Sequence, residues 1–432
     1  MPPRAFLASL FDAAIAAADP LEALRPFMPA RPKGRTIVVG AGKGAAQLAQ
    51  AFEGLWDGPL SGVVVTRRGF GAPCRRIEVI EAAHPVPDEA GLAGAEQMLG
   101  LVEGLTADDL VVGNRHRRRF GVVAAPAGDL TLDDEIAVNA ALLASGAPIS
   151  AMNAVRKHIS RIKGGRLAAA AWPARVVSLI VSDIPGDDPA LVASGPTVPG
   201  GATRAEALAA IDLFRLDLPA AVLRHLHESK DDGPDPADRR FARNAVHVIA
   251  SASRSLEAAA GAAREAGVPA IILSDAIEGE AREVAKVHAA LAREIATRGR
   301  PFAPPVVLLS GGETTVTLRG AGRGGRNGEF ALSLALGLSG LDGVCALAAD
   351  TDGIDGSQDN AGAFADGATA LRLRQNGLDP ARLLSDNDSH RAFSTLGDLF
   401  VTGPTGTNVN DFRAILIDAD PQSAAASTDS SG

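Results

Sequence analysis

Short runs of β-branched and aliphatic residues alternate along the chain with longer stretches rich in alanine and leucine. Runs such as TIVVG (36–40), VVSLIV (176–181) and VVLLS (306–310) have the length and composition of buried strands, and several are followed by glycine and a helical pattern. Repetition of strand, glycine-bearing turn and helix is typical of parallel βαβ units. The pattern predicts an α/β fold of two Rossmann-like, three-layer α/β/α domains with mainly parallel sheets.

Two series of these units are separated by HESKDDGPDPADRRFARN (227–244), which is charged and has no hydrophobic periodicity. We therefore expect an N-terminal domain over 1–236 and a C-terminal domain over 237–418. Residues 419–432 contain few apolar side chains, and we expect a disordered tail there. Ligands of open α/β sheets bind beyond the carboxyl ends of the strands, where both halves carry polar residues. This pattern predicts a cleft between the two domains.

Composition and charge narrow the classes of function. The net charge of -9 over 432 residues argues against a nucleic-acid partner, because nucleic-acid-binding domains usually carry an excess of Lys and Arg. Cys74 and Cys345 are too far apart for a metal motif, and so few cysteines are typical of a reducing, cytoplasmic location. The sequence has no uncharged apolar run of the roughly 18 residues that a membrane span needs, so we expect no membrane partner.

A glycine turn follows the first strand. VVGAGKGAAQ (38–47) matches the G-x-G-x-x-A pattern of dinucleotide sites, and Gly42 and Gly44 flank Lys43 where a helix N-terminus would face an anion. The second strand, VVVTRRG (63–69), ends in arginines rather than in the acid that binds the NAD ribose. An NADPH-dependent oxidoreductase remains an alternative, and so does a tight turn with a solvated lysine.

Two further stretches of the N-terminal half carry clustered charge. NAVRKHISRIKGGRLA (153–168) places Lys157 and Lys163 either on a solvated basic face or on a cationic wall of an anion pocket. The loop after the strand at 176–181 carries several polar side chains within a short distance. Its carboxylates would repel one another unless a cation such as Mg²⁺ compensated them. The residues of this loop are Ser182, Asp183, Asp187, Asp188 and Ser194.

The C-terminal half repeats the arrangement of strand, glycine and polar loop. SGGETTVTLRGAGRGGRNGEF (310–330) contains Gly311, Gly312, Glu313 and Arg326. Three later loops are rich in Asp, Asn and Thr, and four such loops at one sheet edge favour a binding cleft over coincidence. These loops supply Asp350, Asp352 and Asp355, then Asn387, and then Thr405, Thr407, Asn408, Asn410 and Asp411.

The longest of these motifs resemble a known family. The segment at 310–336, ALAADTDGIDG (346–356) and GDLFVTGPTGTNVNDF (397–412) resemble the MOFRL domain, and the motifs of the N-terminal half resemble its companion domain. The chain is similar over nearly its whole length to the bacterial and archaeal glycerate 2-kinases of the GckA/TtuD type. Many of these carry the older label of hydroxypyruvate reductase.

The resemblance implies phosphorylation of D-glycerate to 2-phosphoglycerate with ATP and Mg²⁺, in a cleft between two domains. By position it implies that Lys43 and Arg326 stabilise the transferred phosphate or the glycerate carboxylate, and phosphoryl transfer does need mainly alignment and charge neutralisation. Asp187 becomes a candidate for orienting the substrate hydroxyl, and Asp188 and Asp352 become candidate Mg²⁺ ligands. A homodimer is one assembly that such a chain could form. The residues expected to bind substrate or nucleotide are Gly42, Gly44, Lys157, Lys163, Ser182, Asp183, Ser194, Gly311, Gly312, Glu313, Asp350, Asp352, Asn387, Thr405, Thr407, Asn408 and Asn410.

Residues 111–128, VVGNRHRRRFGVVAAPAG, depart from the family. Its members have the glycine loop ISGGGSALLPAP after the equivalent strand, which suits phosphate binding through backbone N–H groups. A local, compensated frameshift over about 113–125 would explain the difference. If the printed residues are real, bulky arginines replace glycines and hinder the approach of phosphate to the backbone. We therefore keep two alternatives to the kinase: an NAD(P)H-dependent hydroxypyruvate reductase, and a catalytically impaired homologue.

Overall fold

A computed structural model describes residues 1–116, 122–182 and 184–418, and these residues form two compact units. Pro20–Ala250 form the unit called here the parallel-sheet unit. Met1–Asp19 and residues 251–418 form the other, called the mixed-sheet unit. The tail predicted at 419–432 lies outside the described residues.

This division differs from the expected boundaries 1–236 and 237–418 at both ends of the first domain. The sixth strand, Ala245–Ala250, pairs with the strand Arg175–Val181 and so completes the first sheet beyond residue 236. The first helix, α1 (Pro3–Ala16), packs its apolar side chains into the core of the mixed-sheet unit. The charged segment that suggested the boundary is therefore a loop inside the parallel-sheet unit.

The parallel-sheet unit is a Rossmann-like layer structure. Its strand order is β3-β2-β1-β4-β5-β6 with every neighbouring pair parallel, which is the order of a dinucleotide-binding sheet. The prediction of a parallel α/β fold is confirmed for this unit. The strands are β1 (Thr36–Ala41), β2 (Ser61–Arg67), β3 (Ile77–Ala82), β4 (Leu110–His116), β5 (Arg175–Val181) and β6 (Ala245–Ala250).

The helices of this unit begin where local sequence signals predict. Asp88 accepts a hydrogen bond from Gly91 N at the start of α4, and Thr131 and Thr203 form capping boxes at α5 and α8. The helices are α2 (Pro20–Leu24), α3 (Ala45–Leu55), α4 (Glu89–Val102), α5 (Leu132–Ala144), α6 (Ile149–His158), α7 (Arg166–Ala170), α8 (Arg204–Leu213) and α9 (Ala220–Glu228), with 3-10 turns at Arg25–Phe27, Pro185–Asp187, Val192–Ser194 and Arg239–Phe241.

The second sheet is mixed rather than mainly parallel. Its order is β11-β10-β9-β12-β8-β7, and of these pairs only β7 and β8 run parallel. The last strand enters between β8 and β9 from their carboxyl ends and therefore runs against both. The strands are β7 (Ala270–Glu280), β8 (Val306–Thr315), β9 (Val344–Asp350), β10 (Gly362–Asp366), β11 (Leu399–Phe400) and β12 (Asp411–Ile417).

Helices cover both faces of the mixed sheet. On one face α1 and α10 bury Phe6, Leu7, Leu10 and Phe11 against the strands, and each such side chain contributes roughly 1.5–3 kcal/mol. The other face packs α11 and α12 in a separate apolar cluster. The helices are α10 (Ala252–Glu265), α11 (Ala281–Arg298), α12 (Arg326–Gly337), α13 (Thr369–Gln375), α14 (Pro380–Ser385) and α15 (Ser389–Leu396). No helix within the described residues has the length and apolar character that a membrane crossing requires.

Candidate active site

The predicted glycine turn joins β1 to α3. Gly42 has a φ of 125°, a conformation that L side chains rarely adopt, and Gly44 is the residue that precedes the helix. A Cβ at Gly40 would lie 2.6 Å from the carbonyl oxygen of Asn114 on the neighbouring strand β4, so only glycine fits there. The strand, turn and helix therefore form as the sequence predicts, and they present the first turn of α3 at the carboxyl end of β1.

Lys43 lies at the tip of this turn. Its side chain is half-buried, and its Nζ lies 4.6 Å from the centre of the Phe70 ring. Arg67, at the end of β2, approaches the same ring at 5.4 Å. The main-chain oxygen of Lys43 accepts a hydrogen bond from the hydroxyl of Thr66 at 3.1 Å. The turn thus holds a cation beside a helix N-terminus, an arrangement that favours anions.

The end of β2 does not supply the acid of a NAD site. Arg67 ends the strand, and the next residue, Arg68, forms an ion pair with Asp88 at 2.7 Å. The nearby carboxylate of Glu81 accepts the N–H of Gly69 at 2.9 Å. These contacts stabilise the loop that follows β2. The arginines at this position favour binding of an anion over binding of a ribose.

Lys163 lies in the interior, although the sequence predicts it as a ligand. Its Nζ contacts Glu135 Oε1, and both side chains are almost completely buried. The other oxygen of Glu135 accepts the N–H of Ala125 at 3.1 Å. Lys157 is also buried, with its Nζ against Gly200. The ion pair of Lys163 argues against its predicted contact with substrate or nucleotide.

The acidic loop after β5 forms turns rather than a ready cluster. Asp188 is exposed, and its Oδ1 accepts the N–H of Ala190 at 2.9 Å. Asp187 has a positive φ of 52°, which places it in a strained turn. Ser182 is buried beside β6, and Ser194 donates to Asn153 at 2.8 Å. Asp183, another predicted site residue, lies outside the described residues.

The mixed-sheet unit surrounds Arg326 with carboxylates. Arg326 is the first residue of α12, and its Nε donates to Asp411 at 2.5 Å. Its Nη2 donates to Asp350 at 2.7 Å and its Nη1 to Glu313 at 3.2 Å. Glu313 lies near the end of β8, Asp350 ends β9, and Asp411 begins β12, so one sheet edge supplies all three carboxylates. Gly312 has a φ of 121°, and a Cβ there would overlap Ile277.

The carboxylates of this cluster have different proton affinities. Burial raises the pKa of Asp350 well above its usual range, although Arg326 opposes the shift. Burial would also raise the pKa of Asp411, but Arg413 and Arg326 outweigh it and lower that pKa. Asp350 therefore takes up a proton before Asp411 when the pH falls. Burial alone would lower the pKa of Arg326, but the three carboxylates raise it, and the guanidinium stays charged.

Polar residues predicted from the last loop join the same edge. Asn408 donates to Asp352 at 2.8 Å, and its own Oδ1 accepts the N–H of Asn410 at 3.1 Å. Thr405 donates to the carbonyl oxygen of Thr351 at 2.5 Å. Asp350, Asp352, Thr405, Asn408 and Asn410 are thus neighbours, as the sequence predicts. The hydroxyl of Thr407 instead donates to the carbonyl oxygen of Ala18 at 3.1 Å and secures the end of the N-terminal segment.

Residues 320–325, GAGRGG, also fit the pattern G-x-G-x-x-G, and their glycines are packing positions. A Cβ at Gly320 or Gly322 would lie 2.5 Å from atoms of residues 386–388. Asn387 accepts the N–H groups of Arg319 and Gly320 at 2.7 and 3.1 Å and donates to Glu329 at 2.8 Å. These bonds fix the glycine loop against the segment before α15. Asn387 thus holds the glycine loop in place, and its predicted role as a ligand stays a prediction.

Sequence reasoning left two important groups without a role. Arg413 is fully buried, and its guanidinium contacts Asp411 and lies 5.0 Å from the Phe330 ring. Its signal is an arginine inside the otherwise apolar strand FRAILI (412–417). Asp355 was noted only as a loop acid, but it accepts two N–H groups of α12.

The predicted metal ligands were Asp188 and Asp352. Within the described residues, no three side chains of His, Cys, Asp or Glu are arranged to hold a metal ion. Mg²⁺ in phosphate-transfer sites is commonly held by one or two carboxylates together with phosphate oxygens and water. Asp352 lies at the polar sheet edge and provides oxygen donors of this kind. A magnesium ion at Asp352 would therefore need phosphate oxygens and water as its remaining ligands.

Comparison with known proteins agrees with this architecture. Residues 6–227 match the family described as "Domain of unknown function (DUF4147)", and residues 306–411 match the "MOFRL family". The chain is 37% identical to the D-glycerate 2-kinase of Thermotoga maritima, over 93% of this chain and 95% of that protein. It is 51% identical to a protein of Agrobacterium vitis named "Putative hydroxypyruvate reductase", over 96% of this chain and 94% of that protein.

A solved structure extends the similarity to the fold. The crystal structure of glycerate kinase from Thermotoga maritima matches with a TM-score of 0.88 and 36% identity, over 96% of this chain and 99% of that one. These relatives place the chain in the phosphotransferase class. The chain belongs to the glycerate 2-kinase family. This confirms the family resemblance of the sequence motifs.

Proposed function

We propose that this chain transfers the γ-phosphoryl group of ATP to the 2-hydroxyl of D-glycerate, giving 2-phosphoglycerate and ADP. The observation that carries the proposal is the similarity to the Thermotoga maritima kinase over almost the full length of both chains, in sequence and in fold. The matched segments include both cationic features, Lys43 in the DUF4147 region and Arg326 in the MOFRL region.

Lys43 is the proposed contact to the transferred phosphate. Phosphoryl transfer needs little covalent help from the protein and depends mainly on alignment and on neutralising phosphate charge. Lys43 offers a full charge next to the N–H groups of the first turn of α3. Phe70 lies under its ammonium group and restricts its direction. Gly42 and Gly44 keep side chains away from the bound anion.

The carboxylates around Arg326 restrict the orientation in which it can contact a ligand. Its three carboxylate contacts use three of the five N–H groups that a guanidinium offers. The carboxylates hold the planar group in one orientation, and the side chain remains one-fifth exposed. We assign its outer N–H groups to a phosphate oxygen or to the glycerate carboxylate, since a fixed guanidinium binds such groups in a defined direction.

The remaining assignments rest on chemistry and position. Asp187 is proposed to orient the substrate hydroxyl, and Asp188 or Asp352 to hold Mg²⁺, which would supply charge neutralisation on the phosphates. Ser182, Asp183, Lys157, Ser194, Gly311, Gly312, Thr405, Asn408 and Asn410 remain proposed substrate or nucleotide contacts. The interdomain cleft, the cytoplasmic location and the homodimer remain predictions.

A reductase is less well supported, despite the name of the Agrobacterium vitis relative. Arg67 and Arg68 at the end of β2 do not suit NAD but would suit the 2′-phosphate of NADPH, so the preference for the kinase rests on the relatives named as kinases. An impaired kinase is the other alternative. Strand β4 keeps its pairing with β1 and β5 up to residues 115–116, and Val122–Ala125 are buried again. The residues between them, 117–121, lie outside the described residues.

The purified full-length protein should release ADP when it is incubated with D-glycerate, ATP and Mg²⁺. Phosphorus NMR should identify the second product as 2-phosphoglycerate, and omission of glycerate is the control for ATPase activity. Oxidation of NADPH by hydroxypyruvate without ADP release would establish the reductase instead. A thermal shift with glycerate or ATP but no turnover in either assay would establish the impaired homologue.

A further inference from the structure

Helix α12 begins without a capping side chain of its own. Its first residue is Arg326, and the preceding residue is Gly325. The N–H groups of the first turn are instead taken by Asp355, from the loop between β9 and β10. Asp355 Oδ1 accepts the N–H of Asn327 at 2.9 Å, and Oδ2 accepts the N–H of Gly328 at 2.7 Å. One carboxylate from a distant part of the chain thus replaces the usual local cap.

The fit between Asp355 and the start of α12 is close. A Cβ at Gly325 would lie 2.3 Å from Asp355 Oδ1, so a side chain at that position would displace the carboxylate. Asp355 is almost completely buried, and its own N–H donates to the carbonyl oxygen of Asn360 at 2.7 Å. Both the loop and the helix end are therefore fixed by the same group.

We propose that Asp355 is a positioning residue for Arg326: its carboxylate fixes the first turn of α12 and thereby directs the guanidinium toward Asp350, Glu313 and Asp411. The inference rests on the proposed function, in which Arg326 contacts the reacting groups. Asp355 bonds to the backbone of Asn327 and Gly328, so its effect on the direction of the guanidinium passes through the first turn of α12. A small displacement of a group at the reaction centre is enough to cost about 100-fold in rate.

The electrostatics support a role for the ionised form. Burial raises the pKa of Asp355 from 3.8 to about 6, against the two N–H groups of α12, which lower it. Asp411 on β12 raises this pKa further, and Arg326 on α12 lowers it. Above pH 6 the carboxylate accepts from both N–H groups, and below pH 6 the added proton weakens one of these bonds. Arg326 should therefore be held less firmly at acidic pH.

The same shift acts against stability. The folded chain binds a proton at Asp355 more tightly than an unfolded chain does, so stability decreases as the pH rises from 3.8 to about 6. An ionised Asp355 is thus unfavourable for folding at neutral pH, whereas its hydrogen bonds favour the order of α12. If Asp355 positions Arg326, its ionisation should lower stability but raise activity, whereas a purely structural group would not raise activity at the expense of stability.

The variant Asp355→Asn tests the proposal because it keeps the size of the side chain but cannot accept from both N–H groups. We expect kcat to fall about 10- to 100-fold, with KM for glycerate changed less than about threefold. The acidic limb of the kcat profile near pH 6 should disappear or move, and urea unfolding at pH 7.5 should show little loss of stability. The control is Asp379→Asn, because Asp379 caps α14 by accepting from Ala381 N at 2.9 Å and touches no part of the site.

Hydrogen exchange of the Asn327 and Gly328 amides provides a readout that needs no catalysis. In the wild type their protection, corrected for intrinsic exchange, should fall as the pH decreases through about 6, and it should be low at all pH values in Asp355→Asn. Wild-type kcat in the variant, an unchanged acidic limb, or unchanged amide protection would overturn the proposal. If the wild type lacks kinase activity but the amides respond in this way, the proposed function fails while the anchoring of α12 by Asp355 stands.

Discussion

Arg326 donates its Nε–H to Asp411 Oδ1 across 2.5 Å, and the other carboxylate oxygen of Asp411 is held by the buried Arg413. The same carboxylate accepts the N–H and the hydroxyl of Thr314, each at 3.1 Å, and the side-chain amide of Asn327 at 3.0 Å. One fully buried acid therefore compensates two arginines at the start of β12. It links the edge of the sheet to the first turn of α12.

Replacing Asp411 should therefore affect stability as strongly as activity. Asp411→Ala leaves the buried guanidinium of Arg413 without its counter-charge, and breaking a buried pair in this way typically costs about 3–5 kcal/mol. Urea unfolding at pH 7.5 measures the loss. Asp386→Ala is the matched control, because Asp386 is half-exposed and its pair with Arg382 spans 4.0 Å, so its loss should change stability by less than about 1 kcal/mol. Equal effects of the two variants would contradict this account of the cluster.

Replacing Lys43 should instead lower activity strongly and change stability little. Lys43→Ala removes the proposed phosphate contact, and we expect kcat/KM to fall at least about 100-fold, as when one charge-stabilising donor is lost. Stability should change by less than about 1 kcal/mol, because the side chain is half-buried and its contact with Phe70 is a cation–π contact at a partly exposed position. Arg67→Ala removes the other cation over the same ring and should leave kcat/KM near the wild-type value. A large effect of both variants would point to the packing of Phe70 rather than to the charge of Lys43.

The sequence predicts the parallel sheet well because its signals are local. Each strand is followed by glycine or a turn, and the hydrophobic run has the length of a strand buried on both faces. No local signal in the sequence indicates the direction of the strands in the second sheet. Strand β12 is an apolar run like β8 and β9, although it runs antiparallel to both. The position of helix α1 is also not predictable from its sequence. Its apolar positions predict a buried face, but they do not indicate which sheet this face covers; they are Phe6, Leu7, Leu10 and Phe11.

The candidate site is predictable where polar residues directly follow a strand. Asp350, Asp352, Glu313 and Arg326 are found together for this reason. The burial of Lys163 is not predictable because its partner, Glu135, is 28 residues away in sequence, and a basic run gives no indication that one member is buried. Arg413 and Asp355 act through contacts across the fold that no local pattern encodes.

The ion pair of Lys163 with Glu135 allows the predicted ligand role of Lys163 to be tested directly. Lys163→Met leaves the buried carboxylate of Glu135 uncompensated and should destabilise the protein by about 3–5 kcal/mol, as measured by urea unfolding. The double variant Lys163→Met/Glu135→Leu removes both charges and should recover most of this loss. A stable single variant with weakened ATP or glycerate binding would restore the ligand role predicted from the sequence.

Buried His288 should make the free energy of unfolding decrease at acidic pH. It is buried, with Nε2 at 3.0 Å from the hydroxyl of Ser310 and Nδ1 at 2.9 Å from the carbonyl oxygen of Val284, and burial lowers its pKa from 6.5 to about 4. Between these two values the unfolded chain binds more protons at His288 than the folded chain, so stability is lost as the pH falls through this window. The full shift corresponds to roughly 3 kcal/mol, of which about 2 kcal/mol should be lost between pH 7.5 and pH 5.

Urea unfolding of the wild type and of His288→Gln at these two pH values isolates this contribution. The carboxyls with raised pKa values, Asp350 and Asp355, act in the opposite direction but are common to both proteins, so their effects cancel in the difference. The wild type should therefore lose about 2 kcal/mol more than His288→Gln on acidification. His227→Gln, at an exposed position on α9, should behave as the wild type does. Equal losses in the wild type and His288→Gln would mean that His288 becomes protonated without unfolding, and that the hydroxyl of Ser310 suffices to solvate its charge.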